Sequence, residues 1–154
     1  SLLEDGSEKM IKEIYKSASQ SGCEIHLPLD VVLDDKKKLT IDKLSSSSDF
    51  KILDLSEQSL KLLERLISKS EIILWNGPMG MIENPDFAIG SSKLANNLAN
   101  STSKVVIGGG DTLLAINIAG VNFDKYHFVS TAGGAFLEAL ENKDLPGIEA
   151  LNQD

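Results

Sequence analysis

Arginine is almost missing from this chain: Arg65 is the only one among 15 basic residues in a total of 154. Two-pronged clamping of phosphate by guanidinium is therefore scarce. Cysteine is reduced to Cys23, which excludes an internal disulfide and fits a reducing, cytoplasmic compartment; beside a predicted strand it reads as small core filler. No apolar run approaches the ~20 residues of a membrane-spanning helix. The opening Ser1-Leu2-Leu3-Glu4-Asp5-Gly6 lacks a basic region followed by an apolar stretch, so it does not read as a signal peptide. Because it opens on Ser1 close to a predicted helix, a processed or truncated chain is expected. Positive charge is the minority sign, and the formal net charge of −8 argues against nonspecific binding to nucleic acid or membrane. It leaves an anionic ligand open, because helix N-termini and a bound metal supply local positive potential.

What is present fits one soluble domain over residues 1–154, long enough to bury a core. The 42% hydrophobic and 25% charged contents are ordinary for such a domain. Met10, Ile11, Ile14, Tyr15 and Ala18 form an apolar stripe at helical spacing, with Ser7 as candidate N-cap and Gly22 as stop. Glu24–Leu27 reads as a strand ended by Pro28. Residues 34–53 read as a surface excursion, with a small hairpin through Leu39–Ile41 and Lys51–Leu53; the run Ser45–Ser48 is too short for a domain linker. A second helix starts at Ser56, followed by a strand over Glu71–Trp75 and a helix over Phe87–Ala99. Strand Lys104–Ile107, helix Thr112–Ala119, strand Tyr126–Val129 and a last helix through Leu140 complete the pattern, and Pro146-Gly147 ends the regular part. Four alternations of strand and helix predict an α/β fold, a three-layer parallel sheet with helices on both faces. Ligands of such sheets bind beyond the carboxyl ends of the strands. The turns there are Leu27–Asp30, Asn76–Glu83, Gly108–Thr112 and Ser130–Gly134, and glycine gathers in three of the four.

The most informative turn is Val105-Val106-Ile107-Gly108-Gly109-Gly110-Asp111-Thr112. Glycines between a strand and a helix let backbone N–H groups approach an anion at the positive end of the helix dipole. A bare Asp111 would repel phosphate, unless a divalent cation lies between them; the turn therefore reads as a metal–nucleotide phosphate site. The plainer alternative is a tight turn with Asp111 as a simple N-cap. The dinucleotide fingerprint fails, because Leu113 stands where it needs a third spaced glycine, and this disfavours a nicotinamide-dependent oxidoreductase. In Trp75-Asn76-Gly77-Pro78-Met79-Gly80-Met81-Ile82-Glu83, the far carboxylate can accept bonds from a ribose diol. Met79, Met81 and Ile82 offer a soft apolar wall for a purine; the alternative is a loop with core methionines and a solvated Glu83. His26 and His127 have no Cys or His partner at ligand spacing and read as structural. Trp75 reads as core, and Lys36–Lys38 as a solvated charge run.

Taken in order, WNGP-x-G-x-x-E, GGGDT and ST-x-GGA resemble phosphoglycerate kinase, specifically the later part of its C-terminal nucleotide-binding domain. The likeness runs over nearly the whole chain, through Leu27-Pro28-Leu29-Asp30 to Leu145-Pro146-Gly147. It implies magnesium-dependent phosphoryl transfer between 1,3-bisphosphoglycerate and ADP, giving 3-phosphoglycerate and ATP, in a monomeric complete enzyme. Glu83 resembles the ribose-binding residue. Gly77, Pro78, Met79, Met81 and Ile82 fall where the family lines its adenosine pocket, with Leu27 as a possible addition. Gly109, Gly110, Asp111 and Thr112 match the phosphate-holding segment, with Asp111 as the magnesium ligand of bound ATP or ADP. Gly133 and Gly134 match the helix start that stabilises the phosphoryl group in flight. Exposed N–H groups at a helix N-terminus suit that task, where catalysis is mostly positioning and charge neutralisation.

The departures from the family are specific. Ala132 stands where a glycine is usual and would be strained if its φ were positive. Ile82 replaces an aromatic and Leu113 a small residue, and Asp54-Leu55-Ser56-Glu57 lacks an expected glycine–proline pair. The lysine-bearing glycine–alanine–lysine segment and the N-terminal domain that binds phosphoglycerate match nothing here, and Lys104 lies at the wrong end of its strand. The domain is therefore expected to be incomplete relative to the family, with an exposed sheet edge and apolar helix faces, and inactive alone. A stand-alone, non-catalytic nucleotide-binding or interaction module is the alternative.

Overall fold

The computed structural model describes residues 6–44, 50–141 and 145. The readings of Ser1–Glu4, Ser45–Ser48 and Pro146-Gly147 fall outside them. Helix α1 spans Glu8–Ser21 and stops at Gly22, whose left-handed φ of 71° lets the chain turn out of the helix as expected. Ser7 precedes α1, but its side chain makes no capping bond.

The next segment departs from the sequence reading. Glu24–Leu27 is not a strand; the strand lies beyond Pro28, as β1 over Asp30–Leu33. Cys23 is accordingly exposed rather than core filler. Strands β2 (Lys38–Thr40) and β3 (Ile52–Leu55) each pair antiparallel with β1, in the order β2-β1-β3. The expected hairpin between the second and third of these segments is therefore replaced by a central β1 that separates them. The physical reason is burial: Val31 and Leu33 are each 2% exposed, and a run buried that fully belongs in the middle of a sheet. The tight hairpin is instead the β1–β2 turn, where Lys36 takes a φ of 65° and its N–H donates to Leu33 O at 2.8 Å.

Asp30 ties this small sheet to helix α2 (Glu57–Ile67). Its carboxylate accepts the N–H groups of Gln58 at 3.0 Å and Ser59 at 2.8 Å, two donors that the first turn of a helix leaves without partners. Ser56, in the N-cap position, makes no such bond itself. Burial alone would raise the Asp30 pKa, but the bonds from Gln58 and Ser59 outweigh it and hold the group below 3.8.

The second sheet is parallel, in the order β4 (Ile72–Asn76), β5 (Lys104–Gly108), β6 (Phe128–Ser130). Helices α3 (Ile89–Ala99) and α4 (Gly110–Ile118) connect these strands, and α5 (Gly134–Leu140) follows β6. Ile67 of α2, Leu94, Ala95 and Leu98 of α3, and Ala115 and Ile116 of α4 close over Trp75, Val105 and Ile107 as one core. The opposite face carries Ile72 at 69%, Leu74 at 43% and Phe128 at 56% exposure, and α1 buries no residue although Met10 and Ile14 line one side of it.

Two outcomes follow. Asp30→Ala should lower stability by about 1–3 kcal/mol through unpaired buried donors, read by denaturant titration. The lowered pKa means that this contribution is complete above pH 3.8 and fades as pH falls through the native value, so the gap between wild type and variant should close in acid. The bare face and edge of the parallel sheet should make the isolated chain associate; a concentration-independent monomer in sedimentation would contradict this.

Candidate functional site at the carboxyl edge of the parallel sheet

Strand register decides what meets at the edge. Asn76 is level with Gly108, and Gly108 with Ser130. Each of these three residues ends its strand and opens one of the glycine-bearing turns, so the three turns lie side by side.

The middle turn is the tightest. Gly109 has a φ of 92°, a conformation that disfavours side chains, and a Cβ there would lie 3.0 Å from Asn76 Oδ1. A Cβ on Gly108 would lie 2.7 Å from the Phe136 ring of α5. Gly110 has open space around it, and both it and Asp111 are exposed in the first turn of α4. That turn presents backbone N–H groups that the helix itself does not satisfy.

Thr112 sits differently from its neighbours. It is fully buried, and its Oγ1 accepts the Gly77 N–H at 2.7 Å. The side chain is therefore a tie between the phosphate-type turn and the Asn76–Glu83 loop. Trp75 closes the base of that loop: it is 3% exposed, and its indole N–H donates to Gly77 O. The third turn approaches from the other side, where a Cβ on Gly133 would lie 3.4 Å from Gly109 Cα. Ala132 does not have a positive φ, so alanine in place of glycine costs no backbone strain there.

The Asn76–Glu83 loop runs against the antiparallel sheet. Met81 N–H donates to Leu53 O at 2.9 Å, and Met79 N–H to Ser91 Oγ at 2.9 Å. A cleft of about 390 Å³ lies between the two, walled by Pro78, Met79 and Met81 on one side and by Pro28, Ile52 and Leu53 on the other. Met81 and Glu83 are exposed. Ile82 is 4% exposed and belongs to the core, so its side chain does not face that cleft. Leu27 is 61% exposed and is not part of the cleft wall.

Three residues at this edge escaped the sequence reading. Asn76 is read from sequence only as the start of a turn, although its side chain abuts Gly108 and Gly109. Ser91 holds Met79 from within α3. Asp54 is 2% exposed and accepts from Gly90 N–H at 2.9 Å and Leu55 N–H at 2.8 Å; burial raises its pKa above 3.8 despite those bonds. A carboxylate inside the apolar run Ile52-Leu53-Asp54-Leu55 was the signal for it. Neither histidine joins the edge: His26 pairs with Glu24 at 3.3 Å, and His127 N–H donates to Val105 O. Among the described residues no group of three carboxylate, His or Cys side chains could hold a metal by itself, which suits a lone Asp111 only if phosphate oxygens and water complete the shell.

The family model for phosphoglycerate kinase matches residues 1–143. The phosphoglycerate kinase of Caulobacter vibrioides is 42% identical, over 98% of this chain and 40% of its own. That of Prochlorococcus marinus is 39% identical, over 100% of this chain and 40% of its own. The solved structure of phosphoglycerate kinase from Coxiella burnetii superposes with a TM-score of 0.86 at 34% identity, covering 97% of this chain and 40% of that one. The chain thus spans about 40% of the length of these relatives.

Thr112→Val should cost about 1 kcal/mol, because the part-buried Gly77 N–H loses its acceptor. Thr112→Ser should retain most of the stability, and thermal melts of the two variants would separate the hydroxyl from the methyl.

Proposed function

The chain belongs to the phosphoglycerate kinase family, and on that premise we propose that it forms the nucleotide half of a glycolytic, cytoplasmic enzyme that passes a phosphoryl group between 1,3-bisphosphoglycerate and ADP. One observation carries this reading: strand register sets the Gly77–Glu83 loop, the Gly109-Gly110-Asp111 turn and the Gly133-Gly134 turn next to one another. In sequence these turns are well apart, and only the edge unites them.

Each turn then has its task. The Met79 and Met81 wall holds the adenine ring, and Glu83 accepts from the ribose hydroxyls. N–H groups around Gly109 and Gly110 hold the phosphates at the start of α4, where the helix dipole favours negative charge. Asp111 holds the magnesium of the nucleotide, whose charge offsets that of the phosphate oxygens. Gly133 and Gly134 let the N-terminal turn of α5 approach the moving phosphoryl group, where fixed donors stabilise the charge it carries. The phosphoglycerate partner binds elsewhere, because among the described residues no cationic side chain occupies the edge at a matching place. Transfer by the 154 residues alone is therefore not expected.

Calorimetric titration with ADP, with and without magnesium, tests this. Magnesium-dependent binding is expected from a chain shown to be folded by circular dichroism. Asp111→Asn should remove the magnesium dependence while leaving the binding of adenosine intact. Equal binding with and without magnesium in the wild type would end the role given to Asp111.

A further inference from the structure

Asp54 stands apart from the groups assigned above. It belongs to β3, on the antiparallel sheet, where it pairs with Val32 of β1, yet its carboxylate reaches across to the helix of the parallel layer. Its Oδ2 accepts the Gly90 N–H, in the first turn of α3. Its Oδ1 accepts the Leu55 N–H and lies 2.6 Å from where a Cβ on Gly80 would be. The same position on Gly80 is closed by the Phe87 carbonyl, and a Cβ on Gly90 would strike the Asp54 carboxylate as well. Two glycines thus leave room for one buried carboxylate, one in the nucleoside loop and one at the helix that follows it.

The neighbouring bonds share this arrangement. Met81 N–H reaches Leu53, the residue before Asp54, and Met79 N–H reaches Ser91, the residue after Gly90. The loop is therefore held on both sides of Gly80, once by the strand that carries Asp54 and once by the helix that Asp54 caps. A buried carboxylate at a helix N-terminus is costly to desolvate but is favoured by the dipole and by charge-assisted bonds. It fixes geometry more firmly than a neutral contact.

We propose that Asp54 is a positioning residue for nucleotide binding: it locks the Pro78–Glu83 loop onto the antiparallel sheet and so sets the nucleoside cleft between Met79, Met81 and Leu53. The assignment rests on the proposed nucleotide role of that loop. It makes the antiparallel sheet part of the nucleoside site, while the phosphate turn at Gly109–Asp111 meets the loop at its other end, through the Thr112–Gly77 bond, and has no bond to Asp54.

Asp54→Asn and Asp54→Ala test this in the 154-residue chain. Loss of one or two charge-assisted bonds should weaken ADP and adenosine alike by about tenfold, while magnesium pyrophosphate, which engages only the phosphate turn, should bind within about twofold of wild type on the same scale. Emission from Trp75, the only tryptophan, should shift in both variants without any ligand, because its indole is bonded inside the loop at Gly77. Unchanged ADP affinity in a folded variant, or equal weakening of pyrophosphate, would overturn the proposal. Should a variant fail to fold, amide hydrogen exchange on the wild type decides. Met79, Met81 and Gly90 amides opening with a common free energy support the lock, and free exchange at Met79 and Met81 beside a protected Gly90 refutes it. A wild-type chain that does not bind ADP would instead count against the nucleotide reading, and the exchange and emission results would still judge Asp54.

Discussion

Register between parallel strands is the constraint on which this molecule depends. A one-residue slip of β5 against β4 would turn Val105 and Ile107 out of the core and bring Val106 in. It would also pull Gly108 away from Asn76 and Ser130, and the three turns would no longer meet. The same packing that buries Ile107 beneath α3 and α4 therefore builds the edge where glycines, a carboxylate and exposed helix donors come together. Fold energy and site geometry are fixed by one set of side chains. Thr112 shows this at the scale of a single group: its hydroxyl accepts from Gly77, while the residue itself is packed with no exposure.

Much of this was legible in the sequence where local chemistry and tertiary environment agree. Ser56–Ile67, Phe87–Ala99 and Lys104–Ile107 have the periodicity of the elements they form, and the glycines at 108–110 announce a turn with no room for side chains. The segment from Cys23 to Leu55 was misread because the deciding facts are not local. Glu24–Leu27 has the composition of a strand but no neighbouring strand to satisfy its backbone, whereas Asp30–Leu33 has one on each side. Composition cannot distinguish a strand with partners from one without. Asp30 and Asp54 each cap a helix remote in sequence, Asp30 at α2 and Asp54 at α3; such pairings have no signature at spacing three or four, and only the place of Asp54 inside an apolar run marks it. Ile82 was placed in a ligand wall on the strength of its neighbours, but alternation along the loop turns it inward while Met81 faces out.

The exposed apolar surface has the same origin. Ile72 and Leu74 lie on the face of β4 opposite Trp75, and α1 carries an apolar stripe with no buried residue among those described. The strand alternates between a buried and a bare face, in a parallel sheet that would ordinarily be covered on both sides. Solubility and site are separable on this view. The core beneath α2, α3 and α4 sets the edge, and the bare face sets solubility.

Charge completes the account. A net charge of −8 opposes a polyanionic ligand at long range, yet exposed carboxylates more than about 8 Å away are largely screened at physiological salt. What counts at the edge is what lies in contact: N–H groups at two helix starts, a cleft wall that is mostly apolar, and one carboxylate, Asp111, that becomes favourable only when a cation accompanies the phosphate. On the proposed reading, such a site would discriminate by charge state: free nucleotide would meet Asp111 as a repulsion and the metal complex would meet it as a ligand, so a single side chain would tie recognition to magnesium without any arginine at the edge.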